Sequence, residues 1–108
     1  MTVAAVSIPI AYEILRDCLG GQGSVVPGRH FLDELENEGL TIPAAWHVLR
    51  NGCIQNPPEH DVRTGHWKYS IEGHEPDGKW IVIVFCFRAV DRAHLITVFS
   101  VKSKERKE

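Results

Sequence analysis

The sequence contains no long hydrophobic run, because charged residues, prolines and glycines interrupt its apolar stretches. No run approaches the roughly 20 residues that a helix needs to cross a bilayer. The N-terminal stretch also lacks the Lys or Arg that precedes the apolar core of a secretory signal peptide. We therefore expect no membrane partner and a cytoplasmic location.

Cysteine is scarce, and the three cysteines, Cys18, Cys53 and Cys86, are widely spaced with no CxxC pair. An odd, scattered set is not a disulfide framework. The six histidines show no HxxxH or HExxH spacing of the kind that places two metal ligands on one helix face. The GGQG stretch is not followed by the GK[ST] of a phosphate-binding loop. The sequence thus predicts neither a metal site nor a cofactor.

The chain has 108 residues, enough for a single domain with a buried core but too few for two. Its net charge of −2 is unevenly distributed, since residues 1–49 carry a net −4 and residues 50–108 a net +2. This asymmetry suits a polyanion that approaches the C-terminal half. The alternative, which the charge distribution alone favours, is that the acidic side chains only solvate helix surfaces.

Three helical patterns occupy the first half of the chain. The first runs from Ile8 to Leu19, the second from near His30 to Gly39, and the third from the cap residue Thr41 to Asn51-Gly52. The short link between the second and third helices predicts an antiparallel helical hairpin. Residues 22–28 contain three breakers and are expected to form a loop or a very short extended piece.

The segment from His66 to Lys102 reads as three consecutive strands joined by two short turns. Both alternate faces of the middle strand are apolar, which predicts a central strand covered on both sides, with Trp80 packed near Trp46. Residues 53–56 read as a short edge strand, followed by an exposed turn, EHDVRTG. The sequence therefore predicts an α+β fold in which two or three N-terminal helices pack on a three- to four-stranded antiparallel sheet.

Four segments in order, PGRHFLDELENEGL, TIPAAWHVLRNGCI, HWKYSIEGHEPDGKWIVIVF and LITVFSV, resemble the domain of unknown function 4258 family over residues 27–101. This resemblance implies a helix-plus-sheet domain similar to RelE-like and MqsR-like ribonuclease toxins, with RNA as substrate and a cognate antitoxin as partner. Residues 103–108 are a charged tail beyond the matched core. One departure is Glu34, where the family often has an Arg one turn after the His that opens its first helix, here His30.

Metal-free RNA cleavage needs a general base, a general acid and cations for the phosphorane charge. Alternation along the first long strand predicts that His66, Lys68 and Ser70 share one solvent-exposed face, with Arg63 and Arg88 nearby. The resemblance adds His30, at the start of the second helix. The candidate catalytic residues are His30, His66, Lys68 and Arg88, and the candidate binding residues are Arg63 and Ser70.

Two functions remain open from the sequence. The chain is either a metal-independent endoribonuclease of the toxin–antitoxin type or a non-catalytic domain that binds a protein partner. The acid–base residues favour the first function, whereas the pI of 6.3 and the scattered cations favour the second. A solvated strand face would explain Lys68 and Arg63 without any function.

Overall fold

The structure, a computed structural model, describes residues 3–101. The tail predicted at residues 103–108 lies outside this range. None of the described helices is long and apolar enough to cross a membrane. In chain order the elements are α1 (Ile8–Leu19), β1 (Ser24–Pro27), α2 (Arg29–Asn37), α3 (Ile42–Asn51), β2 (Glu59–His60), β3 (Trp67–His74), β4 (Trp80–Ala89) and β5 (Arg92–Ser100).

The five strands form one mixed sheet in the order β1-β5-β4-β3-β2. The predicted antiparallel pairing of β3, β4 and β5 is confirmed. The prediction of three to four antiparallel strands is wrong in one respect, because β1 adds a parallel strand at the free edge of β5. Its backbone is held there by hydrogen bonds from Ser24 N to Asp91 O, 2.8 Å, and from Gly28 N to Leu95 O, 2.9 Å.

The opposite edge of the sheet also differs from the prediction. The expected strand at residues 53–56 is only an isolated bridge between Cys53 and Glu72. The edge strand is β2, which lies in the segment predicted to be an exposed turn. Pro57 and Pro58 explain the shift, since neither can donate an N–H to the sheet and the chain rejoins the edge only after them.

The helices begin and end close to the predicted residues. The Thr41 hydroxyl accepts a hydrogen bond from Ala44 N, 3.2 Å, and so caps α3, while Gly39 takes a positive φ of 70° just after α2. The predicted α2–α3 hairpin is wrong. α2 packs on β5 through Phe31 and Leu35, whereas α3 packs on β3 and against α1. The link therefore carries the chain across the sheet.

All three helices cover the same face of the sheet. Their buried side chains form a single core together with four alternate residues of β4. Each of these four β4 residues is at most 2% exposed. No described helix packs on the other face, which we call the open face. Val82 and Cys86 are buried there but Trp80 and Val84 are partly exposed, so the prediction of a strand covered on both sides is confirmed only in part. Trp80 lies on the open face and donates from Nε1 to Glu72 Oε1, 2.9 Å, whereas Trp46 packs against the core on the helical side. The four core residues of β4 are Ile81, Ile83, Phe85 and Phe87.

Candidate active site

One row of side chains crosses the three central strands on the open face. Lys68 on β3 lies opposite Cys86 on β4, and Cys86 lies opposite His94 on β5. Directly opposed residues of antiparallel strands project to the same side, so these three form a row, here called the Lys68 row. Arg88 lies two residues further along β4 and therefore projects to the same face.

A pocket of about 180 Å³ opens at the Lys68 row. This volume is below the range of about 300 to 1,000 Å³ that is typical of pockets enclosing a drug-sized ligand. It suits one polar group of a larger molecule that extends over the surface. We call it the site pocket, and its lining residues are Asp61, Arg63, Thr64, His66, Lys68, Cys86, Arg88, His94 and Ile96.

The structure places four of the six candidate residues, Arg63, His66, Lys68 and Arg88, around this pocket. Ser70 lies on the same face, two residues further along β3. The remaining candidate does not line the pocket.

His30 lies on α2, which packs against the helical side of the sheet. Its side chain is 66% exposed, and its Nε2 lies 3.8 Å from Glu34 Oε2. The imidazole therefore faces its helix neighbour and solvent, and the structure does not bring it together with Lys68.

Asp61, which the sequence analysis did not single out, organises the loop beside the pocket. Its Oδ1 accepts a hydrogen bond from Arg63 N, 3.0 Å, and its Oδ2 lies 3.5 Å from Lys68 Nζ. Its main-chain N donates to His66 O, 2.9 Å. The Arg63 N–H, followed by the charges of Lys68 and Arg63, lowers the pKa of Asp61 below its usual value. The carboxylate is thus ionised at neutral pH and holds the lysine beside the loop.

His94 is the second pocket residue that the sequence analysis missed. Burial, with smaller contributions from the charges of Arg88 and His66, lowers the pKa of His94 below its ordinary value of 6.5. Its imidazole is therefore mainly neutral at pH 7 and able to accept a proton. Only the register of β5 against β4 shows that His94 lies opposite Cys86 and near Lys68.

His66 presents an unsatisfied nitrogen at the same place. Its Nδ1 is buried and has no hydrogen-bond partner within residues 3–101. Its backbone is fixed, because its N donates to Thr64 Oγ1, 3.2 Å, and its O accepts from Asp61 N. Since most buried polar atoms have a partner, this unsatisfied nitrogen distinguishes His66 from the other pocket residues.

Cys86 forms part of the pocket floor, with 2% exposure. Burial raises the pKa of its thiol, and hydrogen bonding and the positive charge from Arg88 oppose this effect only in part. The thiol is consequently neutral at pH 7, which does not suit a nucleophile. Cys86 is therefore part of the pocket wall and not its reactive group.

No family model, curated protein or solved structure matches the chain. Among residues 3–101, no group of three His, Cys, Asp or Glu side chains is arranged to hold a metal ion. Two imidazoles, one lysine and two arginines do converge on the site pocket. Such a set can bind a phosphate and transfer protons to or from it.

Proposed function

We propose that the protein is a metal-independent endoribonuclease that cleaves RNA in the site pocket. The observation that carries this proposal is that His66 and His94 line the same pocket as Lys68, Arg63 and Arg88. Two imidazoles provide a base and an acid, and the cations stabilise the charge of the phosphorane. This function is also the one implied by the resemblance to RelE-like toxins.

The proposed reaction is an internal transesterification. His94, neutral at pH 7, removes the proton from the ribose 2′-hydroxyl while O2′ forms a bond to phosphorus. The bond between phosphorus and O5′ breaks, and His66 acts as the general acid that donates a proton to the leaving O5′. The products are a 2′,3′-cyclic phosphate and a 5′-hydroxyl, so atoms and protons balance without water or metal. Lys68 and Arg88 neutralise the phosphorane oxygens.

The open face itself supports a second candidate function, the binding of a protein partner such as a cognate antitoxin. Phe99 is opposite Val82 on this face and is 41% exposed, and Val26 beside His94 is 39% exposed. Apolar side chains of this kind are typical of surfaces that another protein covers. A partner placed there would also cover the site pocket, so this function is compatible with the first.

The experiment that tests the ribonuclease proposal is cleavage of single-stranded RNA by the purified protein in the presence of EDTA. We expect cyclic-phosphate ends from the wild type and a loss of about 100-fold or more in rate for His66→Gln and for His94→Gln, as for removal of a general acid or base. His47→Gln is the matched control, because His47 is an exposed histidine on α3 outside the pocket.

Three results would contradict the proposal. They are the absence of cleavage by the wild type, wild-type rates in both pocket variants, and an equal loss of activity in the His47 control. In the first case, binding of a co-expressed protein that is weakened by Phe99→Ser would favour the second candidate function.

A further inference from the structure

A second row of side chains lies next to the Lys68 row on the open face. Ser70 on β3 is opposite Val84 on β4, and Val84 is opposite Thr97 on β5. We call these three residues the Ser70 row. The two rows are two residues apart along β3 and β4, which corresponds to about 6.8 Å. This separation is comparable to the distance between a phosphate and the base of the same nucleotide, so a phosphate held in the site pocket would place its base near the Ser70 row.

The Ser70 row has a polar, apolar, polar sequence across the sheet. All three side chains are partly exposed, and neither the Ser70 nor the Thr97 hydroxyl has a hydrogen-bond partner among the residues that the structure describes. The Cα atoms of the two outer residues are two strand spacings apart, about 9.6 Å. Ile96, at a bulge in β5 and on the pocket lining, extends the apolar floor beside Val84.

We propose that the Ser70 row is a nucleobase subsite that sets the base preference next to the scissile phosphate. The inference rests on the proposed ribonuclease function. With the phosphate between Lys68 and Arg88, the attached base lies flat on Val84, and the two free hydroxyls form hydrogen bonds with its edge. The substrate class is single-stranded RNA, because in a duplex the base edges are paired and stacked.

The charge pattern of the open face fixes the direction of the base. The pocket carries three cations, Arg63, Lys68 and Arg88, against one carboxylate, Asp61, whereas the Ser70 row carries no charge. A phosphate backbone is attracted to the cations of the pocket and not to the uncharged Ser70 row. The backbone therefore follows the arginines, and the base points along the sheet toward the Ser70 row.

The experiment compares cleavage of a single-stranded RNA pool randomised around one cleavable ribonucleotide, all other positions being deoxy. The variants are Ser70→Ala, Thr97→Val and both together, and sequencing of the products gives the relative rate for each base. Each hydroxyl removed is expected to reduce the preference ratio between the best and worst base by about threefold to tenfold, as for one hydrogen bond. Ser24→Ala, which removes an exposed hydroxyl from β1, is the matched control and should keep the wild-type ratio.

The outcomes separate this inference from the proposed function. If the wild type does not cleave the pool at all, the ribonuclease proposal fails. If the wild type cleaves but the double variant retains the same base preference, or if the wild type has no preference, the base subsite alone is overturned. A thermal unfolding curve of the double variant that matches the wild type ensures that a changed ratio reports on the subsite.

Discussion

At the scale of single residues, the protonation of His94 has the greatest consequence for the proposed chemistry. Burial and the charges of Arg88 and His66 lower its pKa from 6.5. An imidazole with a lowered pKa is a weaker base but is present in its neutral form over a wider pH range. The pocket thus holds a neutral imidazole, able to accept a proton, beside the cations that are proposed to bind the phosphate.

The first prediction concerns pH. The acid limb of kcat/KM should have its midpoint below 6.5, and Arg88→Gln should move the midpoint of the His94 ring titration upward, because one of the charges that disfavour the imidazolium is gone. The titration is measured by NMR and does not depend on activity. Arg29→Gln, on α2, is the control. A wild-type His94 midpoint above 6.5 would contradict the proton-acceptor role.

The same shift predicts how stability depends on pH. Between the lowered pKa of folded His94 and its unfolded value near 6.5, the unfolded chain binds a proton that the folded chain does not. The free energy of unfolding should therefore decrease as the pH falls through this window. His94→Gln should make this pH dependence less steep, as measured by denaturant titration at several pH values.

Asp61 is predicted to act as a positioning residue through Lys68. Asp61→Asn retains an oxygen for Arg63 N but removes the charge that lies 3.5 Å from Lys68 Nζ. We expect kcat to fall by about tenfold because the lysine is no longer held in place, while KM does not rise because the pocket becomes more positive. Asp77→Asn, in the exposed β3–β4 turn, is the control. A rise in KM with unchanged kcat would contradict this role.

At the scale of elements, alternation along one strand is enough to place side chains on a face, but not to place strands against each other. The predicted wet face of β3 brought His66, Lys68 and Ser70 together because each depends only on a period of two. His94 was missed because its neighbours depend on the β4–β5 register, which shifts between Val84 and Phe85. A bulge of this kind has no clear signal in the sequence.

The sequence also could not predict which face of the sheet the helices cover. β4 has apolar residues on both faces, and the prediction of two covered faces followed from this pattern. In the structure the second face is shielded in part by side chains of neighbouring strands, so that Cys86 and Val82 are buried without a helix above them. The apolar residues of β4 therefore predicted that both faces are buried, but not which elements of the structure cover each face.

The end of α3 provides a prediction at this scale. A Cβ on Gly52 would lie 2.6 Å from Val48 O and 2.8 Å from Glu72 O, both backbone atoms that cannot move independently. Gly52→Ala should therefore force α3 away from β3 and destabilise the protein by about 1 to 3 kcal/mol, as for overpacking elsewhere. Denaturant titration measures this loss. Gln55→Ala, at an exposed position nearby, should stay within about 0.5 kcal/mol of the wild type.

At the scale of the whole molecule, the fold places the acidic side chains of the helices and the basic side chains of the site pocket on opposite faces of the sheet. In the sequence, acidic and basic residues are only enriched in the N-terminal and C-terminal halves. The acidic helices cover one face of the sheet, and the cations of the site pocket lie on the other. The proposed RNA substrate would therefore be repelled from the helical side and attracted to the pocket side, even though the net charge is only −2. The direction of approach follows from this distribution and not from the net charge.

This separation predicts the salt dependence of RNA binding. Each phosphate neutralised on a single strand contributes a slope of about −0.7 in log affinity against log salt, so Arg63→Ala with Lys68→Ala should flatten the slope by about 1.4 units. Arg29→Ala with Lys79→Ala removes the same charge at exposed positions away from the pocket and is the matched control. If the distribution of charge directs binding, only the pocket pair changes the slope. Equal flattening in both double variants would show that RNA responds to the net charge, and an unchanged slope in the pocket pair would place its phosphates elsewhere on the molecule.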